Sequence, residues 1–281
     1  MPRARASIFG PEGSSRTQLP SGGSSAKTDQ DLLAELGGRW PEIRVPGYWS
    51  TLGENCKQWA LDVSAAHFWT QVRARLPEWV AENRRTTESS LLAGPLPDFL
   101  AKGVDRIRGK VLSKCRRDDA FCQTAFGTAG PPIPQLHDLV RTRISCKFLD
   151  GVSFLASHLS DLGKTLGVPV ERQWLGSLEG YFAQHVTFQA EVYYRFGGGN
   201  TPTSITCEVQ VGTDLSTRVW ESAHEIYEGA RDTPDEPAEW QWNPKDQRFL
   251  ARELGHMIHL ADGILVQLRD SVPSRKKDLP S

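Results

Sequence analysis

His185-Val-Thr-Phe-Gln-Ala-Glu-Val-Tyr-Tyr-Arg-Phe196 and Ile205-Thr-Cys-Glu-Val-Gln-Val-Gly-Thr213 flank the turn Gly197-Gly198-Gly199-Asn200. In the first run Val186, Phe188, Ala190, Val192, Tyr194 and Phe196 take every second position. In the second, Ile205, Cys207, Val209 and Val211 do the same. A period of two is that of a strand with one apolar face. The glycines between the runs tolerate positive φ, so the pair reads as a hairpin, with a turn longer than the tightest two-residue type. Parity then points His185, Glu208 and Gln210 away from the core.

The same argument works upstream. Val140, Thr142, Ile144, Cys146 and Phe148 alternate with Arg141, Arg143, Ser145 and Lys147. This strand is apolar on one face and basic on the other. Asp150 is placed to cap a following helix with the stripe Leu155, Leu159, Leu162 and Leu166, and Gly167 stops it. Before the strand, Asp105 to Arg117 is a basic helical stretch, and 127–134 is a loop rich in Gly and Pro. Further upstream, Trp59, Val63, Ala66, Trp69, Val72, Leu76 and Val80 recur at steps of three or four, so about 29–85 is helical with its tryptophans in the core. Pro77 is expected to kink this run or open a new helix. Downstream, a helix covers about Leu215 to Ala230. A last helix begins at Asn243-Pro244, with Leu250, Leu254, Met257, Ala261, Leu265 and Leu268 on one side.

Composition bounds the class. The chain has 281 residues, a formal charge of −1 and 38% hydrophobic residues, enough for a sizeable core. Near-neutrality argues against bulk nucleic-acid binding, although a local basic groove is compatible with it. No stretch approaches the roughly 18 apolar residues of a membrane span. Five cysteines, an odd number without a C-x-x-C pair, argue against a disulfide framework and for a reduced, cytoplasmic setting. His256 and His259 lack a nearby acidic or cysteine partner, which speaks against zinc. Residues 1–28 read as a disordered tail. Their Arg/Ser-rich composition is shared with organelle transit peptides, but they have no secretory h-region.

Asp138, the basic strand, Gly180-Tyr181 with His185, Glu208-Val209-Gln210 and His224 follow one another in an order that resembles the RelA/SpoT synthetase family. Asp138 to Arg143 meets the family's D-x-x-x-x-R. Gly180, Tyr181 and His185 meet its G-Y-x-x-x-H. Glu208 to Thr213 meets E-[IV]-Q-[IV]-R-T with one mismatch, Gly212 in place of arginine. His224 meets the histidine eleven residues after that threonine. Each motif is weak alone, and an open antiparallel sheet face is polar in any case. The ordered set is more specific, and it spans about 102–228.

The resemblance implies an α+β, nucleotidyltransferase-like fold with a mixed sheet of about five strands flanked by helices. It implies N-terminal helices over 29–100 packed on a synthetase core and C-terminal helix over 101–272, with a polar tail at 273–281. The implied activity is pyrophosphokinase: transfer of the β,γ-pyrophosphate of ATP to the ribose 3′-hydroxyl of GDP or GTP, making the alarmone (p)ppGpp of the stringent response. In that reading Asp138 and Glu208 are catalytic and hold Mg2+, with Glu208 the candidate base. Arg106, Arg108, Lys110 and Arg143 bind donor phosphates, and Tyr181, His185 and Gln210 serve the acceptor. The departures are Gly212, a blurred R-x-K-x-x-x-S element near Arg106-Ile107-Arg108, and 174–179, which lacks the usual lysine and asparagine. They leave open a toxin-like member acting on the tRNA 3′ end or adenine nucleotides, with an antitoxin partner, and a catalytically silent nucleotide-binding protein. They also leave the oligomeric state open.

Overall fold

The computed structural model describes residues 27–127, 130–176, 180–231 and 238–272, the side chains of 223–225, 227–231 and 238–239 excepted. Apart from Lys27 and Thr28, the N-terminal tail lies outside the described residues, as does the polar tail from 273. The elements run α1 (Asp29–Arg39), α2 (Tyr48–Ala65), α3 (His67–Thr87), β1 (Leu100–Ala101), α4 (Val104–Arg117), α5 (Asp119–Thr124), β2 (Val140–Cys146), α6 (Leu149–Leu166), β3 (Val170–Gly176), β4 (Phe182–Phe196), β5 (Gly199–Thr213), α7 (Asp214–Arg231) and α8 (Gln247–Ser271). Short 3-10 turns occupy Pro41–Arg44 and Ala238–Trp242. No helix among the described residues is long and apolar enough to cross a membrane.

The class is α+β, with a five-stranded mixed sheet in the order β1-β2-β5-β4-β3. Strands β2 and β5 are parallel, and the other neighbours are antiparallel. In the register, Val140 pairs with Cys207, which pairs with Phe188; Thr142 pairs with Val209, which pairs with Val186. These side chains are all buried and share one face. The face is covered by α2, α3 and α6 in a continuous apolar core. Phe68 packs on Phe188 at 4.7 Å, and Trp69 packs on Phe99 at 4.7 Å. Trp59 is fully buried, and its indole donates to the Tyr193 carbonyl at 2.8 Å. Asn55 ties α2 to the end of β4: its Nδ2 donates to the Arg195 carbonyl, and its Oδ1 accepts from the Arg195 amide.

Several local expectations need correction. The hairpin turn is the tight two-residue kind: Phe196 pairs with Gly199, leaving Gly197 and Gly198 at φ +59° and +82°. Two successive positive φ values match the right-handed twist of the flanking strands, so the ladder closes further than composition suggested. The helical run breaks at Ala66, extended at ψ 153°, and α3 continues through Pro77. Asp150 is not the cap of α6: Phe148 holds that position, and Asp150 sits in the first turn, paired with Arg269. Gly167 does end the helix, at φ +69°. The last helix starts four residues beyond Asn243, where the Asp246 side chain accepts from the Arg248 amide at 2.8 Å. A side-chain acceptor for an orphan N–H is a stronger start than Asn-Pro alone.

Candidate functional site

The second face of the sheet is polar and gathers residues far apart in sequence. Arg141 is level with Glu208, and Arg143 with Gln210; on the far side of β5, Gln210 is level with His185 and Glu208 with Thr187. Cross-strand partners project to the same side. The arginines, the glutamate, the glutamine and the histidine therefore share one surface.

This surface is not simply wet. Asp138, Glu208 and Gln210 are buried to within 8% exposure, where an unpaired carboxylate would be costly. Each is fully engaged. Asp138 Oδ2 accepts from Lys102 Nζ and Oδ1 from Lys110 Nζ, both at 2.7 Å. Burial opposes its ionisation, but the two ammonium groups outweigh that and hold the carboxyl well below the usual range. Glu208 Oε2 lies 3.0 Å from His185 Nδ1, and its Oε1 accepts from Gln210 Nε2 at 2.6 Å. Burial again works against ionisation, and these two hydrogen bonds prevail, so the Glu208 pKa is lowered. Asp138 is near enough to push that pKa the other way.

A chain of contacts leads outward. An ionised carboxylate only accepts, so His185 donates to Glu208 from Nδ1, and its Nε2 lies 3.0 Å from the Tyr181 hydroxyl. Burial pushes the Tyr181 phenol up to about 12. The Tyr181 ring packs on Trp220 of α7, with centroids 4.3 Å apart. On the other flank, Gln210 Oε1 accepts from Arg143 Nε and Nη2 at 3.1 and 2.9 Å, and Arg143 reaches Glu221. Gln210 thus joins Arg143 to Glu208 and also lines a cleft. The cleft is open, of about 280 Å3, and is lined by Leu100, Arg106, Arg141, Arg143, Trp220 and Glu221, among others.

The basic helix divides its residues. Arg106 and Lys110 stand one turn apart on the flank toward the cleft and Asp138. Arg108 is exposed, and at about 100° per residue it projects from nearly the opposite flank of α4. The structure does not bring it to the other cations. Sequence reasoning missed Lys102, which follows a two-residue strand with no periodic signal. It also missed Lys114, whose lowered pKa reflects burial and then Lys110 nearby. Trp220 and Glu221 were missed as well, because nothing in a helical repeat says which turn meets a distant strand. His224 lies on α7, but its side chain is outside the described residues.

Gly180 and α8 set the position of Tyr181. Gly180 has φ +80°, and a Cβ there would run into the Arg252 carbonyl. A Cβ on Gly255 would in turn meet the Gly180 carbonyl. The two backbones touch because both residues lack side chains. Phe182 stacks on His259 at 3.9 Å, and Thr213 hydrogen-bonds Asp262. Gly212 leaves a narrow space beside Arg143 and Tyr181, bordered by Ser216 and Thr217.

Among the described residues no group of three or more His, Cys, Asp or Glu is gathered to hold a metal. An Asp–Glu pair beside a cationic cleft suits a hard ion that takes one or two carboxylates and completes its shell with phosphate and water.

No family model matches the chain, and no curated protein does. Solved structures are similar to it. A GTP pyrophosphokinase family protein from Streptococcus pneumoniae aligns over 79% of this chain and 93% of that one, at 16% identity and a TM-score of 0.48. Small alarmone synthetase 2 of Bacillus subtilis aligns over 72% and 94%, at 14% identity and 0.45. Small alarmone synthetase 1 of the same organism, bound to its product pppGpp, aligns over 73% and 92%, at 14% and 0.44.

Proposed function

We propose that the protein is a magnesium-dependent nucleotide pyrophosphokinase that moves the β,γ-pyrophosphate of ATP to the 3′-hydroxyl of a guanine nucleotide, GDP or GTP. The carrying observation is a pair of buried acids held ionised, Asp138 by Lys102 and Lys110 and Glu208 by His185 and Gln210, each within electrostatic reach of the other, beside a cleft lined by Arg106, Arg141 and Arg143. Phosphoryl chemistry of this kind is mainly positioning and charge neutralisation. Asp138 and Glu208 would hold the ion, which neutralises phosphate charge when bound.

The residues of the chain do the rest. Lys110 is one-third exposed and sits between Asp138 and the cleft, so it can exchange a carboxylate for a phosphate oxygen. Arg143, already oriented by Gln210, offers a guanidinium fork. Glu208 stays ionised through neutral pH and can accept a hydrogen bond from the attacking hydroxyl; its lowered basicity makes proton transfer late. His185 fixes the Glu208 carboxylate and is itself fixed by Tyr181. The Tyr181–Trp220 pair offers an aromatic surface for the acceptor base, which stacking alone does not restrict to guanine.

The test is pure protein with magnesium and ATP labelled at the γ-phosphate, offered GDP, GTP, adenine nucleotides and tRNA in separate reactions. Label on GDP or GTP is the expected result. Label only on tRNA or an adenine nucleotide would move the acceptor assignment to the toxin-like reading suggested by the altered stretch 174–179 and the basic helix. Nucleotide binding with no transfer to any acceptor would remove the enzymatic reading.

A further inference from the structure

Arg141 is a cation without a counter-charge. It is half-buried and lines the cleft, yet among the described residues it makes no hydrogen bond and no ion pair. Its neighbours are committed: Lys102 and Lys110 to Asp138, Arg143 to Gln210 and Glu221. A guanidinium does not neutralise itself by losing a proton, so partial burial without a partner has a cost. Its field reaches both sides of the site. Burial comes first in lowering the Lys102 pKa, against the pull of Asp138, and Lys110 and Arg141 add to it. At Tyr181, where burial raises the pKa, Arg143 and Arg141 oppose the rise. The position is one of the open ones in D-x-x-x-x-R, so the family resemblance assigns Arg141 nothing.

The register says which part of a substrate Arg141 meets. It is level with Glu208 on the adjoining strand. On the pyrophosphokinase reading, on which this inference rests, Glu208 touches the attacking hydroxyl. In a near-attack arrangement the attacked phosphorus stands about 3–3.5 Å from that hydroxyl oxygen. Its non-bridging oxygens therefore fall beside Glu208, where Arg141 is the adjoining cation. We propose that Arg141 is a catalytic residue whose guanidinium holds the non-bridging oxygens of the β-phosphate under attack. In that step the acceptor 3′-oxygen bonds to the β-phosphorus. The bond from this phosphorus to the oxygen shared with the α-phosphate breaks, and AMP leaves with the electron pair. The hydroxyl proton passes to Glu208. Charge in such a step spreads over the equatorial oxygens, and a donor already in place stabilises it without reorganisation. Arg143 and Lys110 must first loosen existing partners, whereas Arg141 has none to release.

The test uses the full chain with magnesium, ATP labelled at the γ-phosphate, and GDP. Arg141→Gln should lower kcat by about 100- to 1,000-fold, as loss of a transition-state donor does, with both KM values moving no more than about threefold. Arg141→Lys should recover part of the loss, because the charge returns without the fork. Millimolar guanidinium should raise the turnover of Arg141→Ala several-fold and leave the parent unchanged, which a structural role would not produce. Independently of turnover, Arg141→Gln should keep or raise Tm, since no partner is stranded and Lys102 loses a like charge. A Tm lowered by several degrees would reveal a structural partner and overturn the assignment. A raised KM for ATP with kcat kept would make Arg141 an ordinary binding cation and overturn it too. Parental kinetics in Arg141→Gln, with an active parent, would overturn this assignment alone. A parent that transfers no label would remove the pyrophosphokinase reading and the assignment together.

Discussion

Lys102 Nζ lies 2.7 Å from Asp138 Oδ2, with the two side chains 7% and 8% exposed. A buried ion pair is weak support for stability as a pair, but removing one partner strands the other. Lys110 still holds the second oxygen, so Lys102→Met should cost less than the about 3–5 kcal/mol of a wholly broken pair, on the order of 1–3 kcal/mol. Urea unfolding measures it, and a variant as stable as the parent would contradict the pairing. The same substitution should raise the KM for ATP by tenfold or more, since Asp138 and Lys110 would repack.

Acid should expose Asp138. Its pKa is lowered on folding, so its contribution is complete above the unfolded value of about 3.9 and is lost as the pH falls below it. Unfolding free energy should therefore drop as the pH is lowered from about 4. Asp138→Asn should flatten that limb while lowering stability at neutral pH, because two lysines lose their counter-ion. A limb of unchanged slope in the variant would show that other carboxylates govern it.

Glu208→Gln keeps the shape of the site but removes its charge, and Asp138→Asn does the same across the strands. Each should reduce kcat by about 100-fold or more, in the range typical of a lost acid–base or charge-bearing group. Intact circular dichroism would separate lost chemistry from lost fold. Near-normal turnover in Glu208→Gln would exclude the residue from the reaction.

Tyr181 divides into a ring and a hydroxyl. Tyr181→Phe keeps the ring against Trp220 and loses the hydroxyl that bonds His185, so acceptor KM should move severalfold at most. Tyr181→Ala removes the surface, and at about 1–3 kcal/mol per stacked base the acceptor KM should rise roughly 10- to 100-fold, with ATP affinity little changed. Equal effects from the two variants would argue against stacking.

Gly255→Ala adds one methyl group where α8 meets the Gly180 carbonyl. Backbone cannot step aside as a flexible side chain can, so the expected loss is about 2–4 kcal/mol, read as a lower Tm. Gly263→Ala on the same helix, where a Cβ meets nothing within 4 Å, serves as the control and should hold or raise Tm.

The alternating runs made β2, β4 and β5 legible, and with them the side on which Arg143, His185, Glu208 and Gln210 stand. A period of two leaves a side chain no other choice once one face is buried. The helical repeats likewise announced α2, α3 and α6, with Trp59 and Trp69 in the core. The edges of the sheet were not legible: β1 is two residues long, and β3 carries no clean alternation.

The amino-acid order by itself determined which residues share a strand face and which type of element carries each motif, because those follow from backbone periodicity a few residues long. Only the tertiary structure decided that Lys102 and Lys110 close on Asp138, that Gln210 joins Arg143 to Glu208, that Arg108 points elsewhere, and that the α8 stripe faces outward. Those outcomes depend on which helix turn lands beside which strand. That placement is set by packing between segments tens of residues apart, such as the 36 between Lys102 and Asp138 and the 67 between Arg143 and Gln210, to which a local pattern is blind.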